Sequence, residues 1–168
     1  MIQKTYKLNE MKYKNAVLYI AKHIGKGTII GKKKLYKLFY FLDFDFFEKY
    51  DKPFTGDIYH KLPMGPAPSY LDAIIIDMRK KGLIKIAKQK NSPGYDDSYV
   101  YQALTDPDLN QFTKEELHML DRIIQLYGSK TGNELEKMTH KEAPYLAVRE
   151  GEEIPLELAH YRGTFTNM

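Results

Sequence analysis

Residues 32–66 read KKKLYKLFYFLDFDFFEKYDKPFTGDIYHKLPMGP, and this stretch decides the fold. Residues 32–50 contain no Gly or Pro, and Leu35, Leu38, Phe39, Leu42 and Phe46 recur at the spacing of one helix face. Tyr36, Tyr40, Phe47 and Tyr50 widen that stripe, while Phe41 and Phe44 reach a different face. A helix apolar on nearly every side either lies at the centre of its domain or presents an interaction face. Each large side chain that is fully buried contributes about 1.5–3 kcal/mol, so something must cover them. Either the later segments, 113–161, cover them as core or part of the face stays open for a partner. The burial of Phe41, Phe44 and Phe47 distinguishes the two. Asp43 and Asp45 interrupt the aromatic surface and have two readings: they face solvent or pair with nearby Lys, or they form a polar anchor in a partner site.

Beyond the helix, Asp51-Lys52-Pro53 is a stop, because Pro lacks a donor and disfavours helix in the residue before it. Thr55-Gly56-Asp57 reads as a turn and residues 58–62 alternate like a short strand. Gly65 is expected in a backbone conformation other residues avoid, with Pro66 and Pro68 stiffening the approach to a third helix over 68–82. Toward the N-terminus, Asn9 is placed to cap a helix over 10–25 whose stripe is Tyr13, Val17, Ile20, Ala21 and Ile24. Residues 1–8 read as an extended arm. After the third helix, Ile84 and Ile86 alternate with Lys85 and Ala87, Asn91-Ser92-Pro93-Gly94 is a turn, and 99–104 is the returning strand of a hairpin. Three helices followed by a hairpin is the order of a winged helix-turn-helix, an analogy of fold that does not establish function.

The C-terminal third is helical. Thr113-Lys114-Glu115-Glu116 is a capping box, and Leu117, Leu120, Ile124 and Tyr127 follow before Gly128. Thr131 with Glu134 opens a short helix to Met138. Residues 141–150 and 155–161 read as two more, with the tail after Arg162 loose. The expected fold class is α+β, mainly α: one domain over 1–168, helical, with a short strand and a β-hairpin.

Composition narrows the chemistry. The chain has 168 residues and no cysteine, which excludes disulfides, thiolate zinc sites and cysteine nucleophiles. The charged N-terminus is not a signal peptide, and no stretch approaches the ~20 apolar residues of a membrane span, so a cytoplasmic protein without membrane contact is the expectation. Charge is uneven: +7 over residues 1–50, +2 over 51–100 and −5 over 101–168. Gly25 and Gly27 lack the rest of a nucleotide-binding fingerprint, and no two His stand at i, i+4. Ser69, Ser92, Ser98 and Ser129 fall at caps or turns, so no catalytic set emerges and no enzyme is expected. A winged helix would offer 68–82 to a DNA groove, but Asp72 and Asp77 beside Arg79, Lys80 and Lys81 argue against nucleic acid, leaving a DNA-binding regulator as the alternative reading.

The stretch KLYKLFYFLDFDFFEKYDKPFTGDIYHKLPMGPAPS resembles the Panacea, or SocA-like, antitoxin domain. The residues that carry the likeness are Lys34, Leu35, Leu38, Tyr40, Leu42, Asp43, Tyr50, Pro53, Thr55, Gly56, Asp57, Tyr59, Gly65, Pro66 and Pro68. A second stretch, GNELEKMTHKEAPYLAVREGEEIP, agrees through Leu135, Thr139, His140, Glu142, Pro144, Tyr145 and Ile154-Pro155, with Tyr145 standing where the family pattern leads one to expect Trp. The resemblance implies the antitoxin of a type II toxin–antitoxin pair, bacterial or phage-borne, that neutralises a cognate protein toxin by direct contact. It also implies a second mode, an adaptor delivering the toxin to a Clp-type protease, and neither mode uses a cofactor or a metal. The residues expected at the partner are Tyr36, Tyr40, Asp43, Phe44, Phe47, Asp57, Tyr59, His140 and Tyr145. A purely structural role competes for His140, Gly56, Asp57, Gly65 and Pro66, which can shape the corner without touching a partner.

Overall fold

A computed structural model describes residues 5–94 and 97–165. Residues 1–4 of the expected arm, residues 95 and 96 and the last three residues of the tail lie outside the described residues. The elements in order are α1 (Glu10–His23), β1 (Thr28–Ile30), α2 (Lys32–Tyr50), β2 (Tyr59–Leu62), β3 (Gly65–Pro68), α3 (Leu71–Lys80), β4 (Ile84–Gln89), β5 (Ser98–Ala103), α4 (Lys114–Tyr127), α5 (Gly132–His140), α6 (Ala143–Leu146) and β6 (Glu153–Ile154). Two 3₁₀ turns, Leu109–Gln111 and Leu156–Tyr161, complete the chain. The α+β, mainly α reading is the observed class.

Helix α2 is the axis. Every residue from Lys37 to Phe47 is buried, which leaves no solvent face over the middle of the helix. It packs against α4, α5, β3 and the C-terminal 3₁₀ turn, and more lightly against β1 and β5. Phe41, Phe44 and Phe47 are all covered, Phe41 and Phe47 in part by the later segments through Tyr127 and His160, and Phe44 by Tyr59 of β2. Phe41 stacks on Tyr127 of α4 with ring centroids 4.2 Å apart, and Phe47 lies edge-on to Tyr6 at 5.7 Å. Gly31 at φ 103° lets the chain turn into α2, and Asp51 ends it in the left-handed region at φ 57°, its N–H donating to Phe47 O at 2.8 Å.

Two small antiparallel sheets flank this axis. In the first, the order is β1-β5-β4, with Ile29 opposite Tyr101 and Ile86 opposite Tyr101 on the other side. Strand β1, three residues between Gly27 and Gly31, is too short to show a periodicity. In the second, the order is β3-β2-β6. The segment expected as a stiff turn at Pro63–Pro68 is in part a strand, β3, paired Tyr59↔Pro68 through Leu62↔Gly65. Two prolines are tolerated there because β3 is an edge strand.

The caps match the sequence. Asn9 Oδ1 accepts from Lys12 N–H at 3.0 Å, and Thr113 with Glu116 forms the reciprocal capping box. Three boundaries differ. The third helix is shorter than expected, because Ser69 and Tyr70 spend their N–H groups on Asp57. Residues 141–150 form only the four-residue α6. The tail past Arg162 is not loose as far as Phe165, whose N–H donates to Glu48 Oε2 at 3.2 Å and whose ring lies 4.6 Å from the Arg122 guanidinium. Among the described residues, no helix is long and apolar enough to cross a membrane.

Candidate functional site

The loop from Asp51 to Tyr59 must turn back across α2, and two buried carboxylates supply its hydrogen bonds. Asp43 accepts from the Thr55 N–H at 2.8 Å, the Thr55 hydroxyl at 2.7 Å and the Tyr59 hydroxyl at 2.5 Å. Asp57 accepts from Tyr13 OH at 2.6 Å and from the N–H groups of Ile58, Ser69 and Tyr70 at 2.7, 3.0 and 3.0 Å. Thr55 links the two, since its Oγ1 also accepts the Asp57 N–H at 3.1 Å. Burial pushes the Asp43 carboxyl up to about 6, and the hydroxyl and amide donors pull only partly against it. Burial raises Asp57 in the same way, against four donors.

Gly56 at the apex has φ +82°, and a Cβ there would stand 2.2 Å from the Lys7 carbonyl oxygen. The strand-like segment before α1 therefore runs directly over this turn, and Asn9 N–H donates to Thr55 O at 2.9 Å. Gly65 at φ +111° is the second close approach. Its Cβ would meet the Lys37 stem at 2.5 Å and Thr139 Oγ1 at 2.9 Å. Lys37 is buried and donates to Pro66 O at 3.0 Å, which satisfies a carbonyl on the open edge of β3. Burial lowers its amine to about 8, against the pull of Glu136.

The second half of α2 uses a different device. Asp45, fully buried, lies 2.5 Å from Arg122 Nη1 and 2.7 Å from Arg162 Nη1. Arg162 forks onto Glu142, Nε to Oε1 at 3.1 Å and Nη2 to Oε2 at 3.0 Å, and reaches Glu48 at 3.3 Å. Tyr40 OH donates to the same Glu142 Oε1 at 2.7 Å. Burial works against the charge on Arg162, but Asp45 and Glu142 outweigh it and raise its pKa. This clasp ties α2, α4, the start of α6 and the C-terminal turn together.

The nine residues expected at a partner fall into three places. Tyr40, Asp43, Phe44 and Tyr59 converge in the core: the Tyr40 ring lies 4.5 Å from Phe44 and 6.1 Å from Tyr59. Asp57 joins them through Thr55, and Phe47 is buried between Tyr6 and His160, 5.7 and 5.3 Å away. Asp43 and Asp45 are neither solvent-facing nor Lys-paired, because both side chains are enclosed, Asp43 hydrogen-bonded by Thr55 and Tyr59 and Asp45 ion-paired with Arg122 and Arg162. Tyr145 is buried but borders the surface, its hydroxyl donating to Leu62 O at 2.7 Å. The His140 ring stacks on Tyr145 at 4.8 Å, and its Nε2 is buried without a hydrogen-bond partner among the described residues. Tyr36 sits apart, half-buried, donating to Asp72 at 2.6 Å.

Three groups escaped the sequence. Lys37 could have been found: a lysine inside a helix with no polar face has nowhere solvated to go. Tyr13 was read only as part of an apolar stripe, and its hydroxyl bond to Asp57 needed the fold. Arg162 follows the last periodic run and gives no signal. As for nucleophilic chemistry, Ser69 Oγ lies 3.1 Å from His60 Nδ1 on the surface, but no carboxylate is bonded to that histidine among the described residues.

What the corner does physically is hold the β2–β3 hairpin and α6 in a fixed relation. Around them, large apolar side chains stay exposed: Leu62 and Met64 at the hairpin tip, Leu146 on α6 and Tyr161 beyond it. Leu146 and Tyr161 border an open groove floored by Phe41, Tyr127 and Met138 and edged by Lys141 and Glu142.

Residues 35–145 match the model of the family described as "Antitoxin SocA-like, Panacea domain", which is most of the chain, so the chain belongs to that family. No curated protein and no solved structure matches it.

Proposed function

We propose that this member of the SocA-like antitoxin family neutralises a cognate protein toxin by direct contact, as a binding protein and not an enzyme. Family membership over residues 35–145 is the observation that carries the reading. The geometry supports it through the exposed apolar side chains around the corner. Met64 is 62% exposed, Leu146 63% and Tyr161 76%, and large apolar and aromatic anchors of this kind dominate protein interfaces. His140, partly exposed and stacked on Tyr145, joins this contact face, whereas Tyr36, expected there, lies apart against Asp72 of α3. Tyr40, Asp43, Phe44, Phe47, Asp57 and Tyr59 act from inside, by fixing the backbone that carries the anchors, with Tyr145 bridging the two sets.

Co-expression with the product of the adjacent gene tests this. The wild-type chain restores growth and co-purifies with that product. Met64→Lys and Leu146→Lys each reduce both, with an unchanged melting temperature. Absence of rescue and of co-purification by the folded wild-type chain overturns the reading, and full activity of both variants together overturns the assigned face. The same assay in a host lacking its Clp-type protease separates two modes: lost rescue identifies delivery to the protease, and retained rescue identifies inhibition by binding alone.

A further inference from the structure

Helix α3 leads away from the corner into the β4–β5 hairpin, which carries none of the anchors of the contact face. Setting aside the inserted β2–β3, the chain runs α1, β1, α2, α3, β4, β5 with a sheet ordered β1-β5-β4. That is the connectivity of a winged helix, in which the third helix faces a DNA groove and the hairpin lies along the backbone. Fold likeness alone carries no function, but the charge is arranged to match. From Met78 to Gly94 the sequence has six cations and no acid. Arg79, Lys80, Lys85, Lys88 and Lys90 are exposed and have no ion-pair partner among the described residues. Elsewhere the lysines near α1 and α2 are largely engaged: Lys12 with Glu116, Lys14 with Asp77, Lys32 with Asp72 and Lys33 with Glu136.

The acids that argued against nucleic acid are also neutralised. Asp77 lies 2.5 Å from Lys14 and 2.9 Å from Lys81, and Asp72 lies 3.3 Å from Lys32 while accepting from Tyr36 OH. Among the described residues, the remaining negative charges nearby are Glu10 of α1 and Asp97 just before β5. Lys85 pairs across the sheet with Gln102, and Lys88 Nζ lies 5.7 Å over the Tyr99 ring, so the hairpin presents its ammonium groups on a rigid two-stranded frame.

We infer that α3 and the β4–β5 hairpin form a binding surface for the phosphates of double-stranded DNA, separate from the toxin-contacting face. A helix with a flanking ribbon fits the wide major groove of B-form DNA, whereas the deep, narrow major groove of RNA excludes it. The exposed face of α3 carries Asp72, Ala73, Ile76, Arg79 and Lys80, with a single Arg in the last turn and no Asn or Gln for base edges, so binding is dominated by phosphates and weakly selective for sequence.

The test is fluorescence anisotropy of the full chain with two labelled duplexes of about one and a half to three helical turns, one random and one from upstream of its own gene. Both are expected to bind at low salt, with similar affinities. With about four or five phosphate contacts, affinity falls on the order of 10²–10³-fold as salt rises from about 50 to 200 mM. The double variant Lys85→Glu/Lys88→Glu loses at least about tenfold at fixed salt while keeping growth rescue, and Met64→Lys keeps DNA binding. No binding of either duplex at low salt overturns the inference, as does binding that the double variant leaves unchanged. Preference for anionic vesicles or single-stranded RNA over duplex overturns it too. None of these outcomes touches the toxin-neutralising reading, which is scored by rescue and co-purification.

Discussion

Asp43 and Asp45 stand two residues apart on one buried helix, and the molecule treats them in opposite ways. Asp43 is held by dipoles: one backbone N–H and two hydroxyls, all from the loop and strand that follow within sixteen residues. Asp45 is held by charges, two arginines from segments far along the chain. The first arrangement shapes a local corner and leaves its carboxyl with a raised pKa. The second fastens distant layers to the axis. Burial costs a carboxylate the same hydration in both places, so the difference lies in what each site is for: backbone geometry at Asp43, long-range closure at Asp45.

The largest effect is expected at the clasp. Arg162→Met leaves Asp45 with one cation and strips Glu142 of its fork, and removing one partner of a buried pair typically costs about 3–5 kcal/mol. Urea denaturation measures it. The double variant Arg162→Met/Asp45→Asn should recover part of that loss, because the fully buried Asp45 charge is gone, while Glu142 stays without its fork. If the double variant is as unstable as the sum of the singles, Asp45 is not held by Arg162.

At Asp43 the expected signature is a pH slope. The folded carboxyl sits at about 6 against an ordinary 3.8, so between those values the native state binds more protons than the unfolded chain. Stability from this group is therefore greatest below about pH 4 and declines as pH rises toward 6, by about 3 kcal/mol in total. Asp57, raised in the same direction, adds to the decline. Asp43→Asn keeps an acceptor for Thr55 but cannot titrate, so its stability relative to wild type should improve as pH rises from 4 to 6. A difference that stays flat over that range refutes the raised carboxyl.

Gly56→Ala comes next. The added Cβ meets a backbone carbonyl at 2.2 Å and takes a left-handed conformation, which together cost about 2–3 kcal/mol. A thermal melt reads it, and a loss below about 0.5 kcal/mol would mean that the segment before α1 does not cross the turn.

How much of this was legible follows the same division. The corner was readable because its parts are close in sequence: α2 with its stop at Asp51-Lys52-Pro53, the Thr55-Gly56-Asp57 turn and the glycine at 65 all carry local chemistry. The clasp was not, since Arg122 and Arg162 look like any surface arginine until the fold brings them to Asp45. Burial misled in one respect. Tyr40, Phe44 and Phe47 of α2 were expected at a partner because one helix face could not hide so many aromatics, and Asp43 with them, but the helix has no exposed face at its centre. Strands β1, β3 and β6 were missed for want of length or because prolines disguised an edge.

The smallest effect is also the sharpest test of the corner. Thr55 presents a hydroxyl that donates to Asp43 and accepts from the Asp57 N–H, and a methyl that packs in the same enclosed space. Thr55→Val keeps the shape and deletes the hydroxyl, leaving a buried amide unpaired and Asp43 with one donor fewer, a loss of about 1–3 kcal/mol. Thr55→Ser keeps the hydroxyl and deletes the methyl, a loss of about 0.8 kcal/mol. If hydrogen bonding holds the corner, the valine variant is the less stable and also shifts the Asp43 carboxyl upward, steepening the pH slope, because one of the groups holding that carboxyl down is gone. If the serine variant is the less stable, packing holds the corner, and the contrast with the arginine clasp is one of shape against charge and not of dipoles against charge.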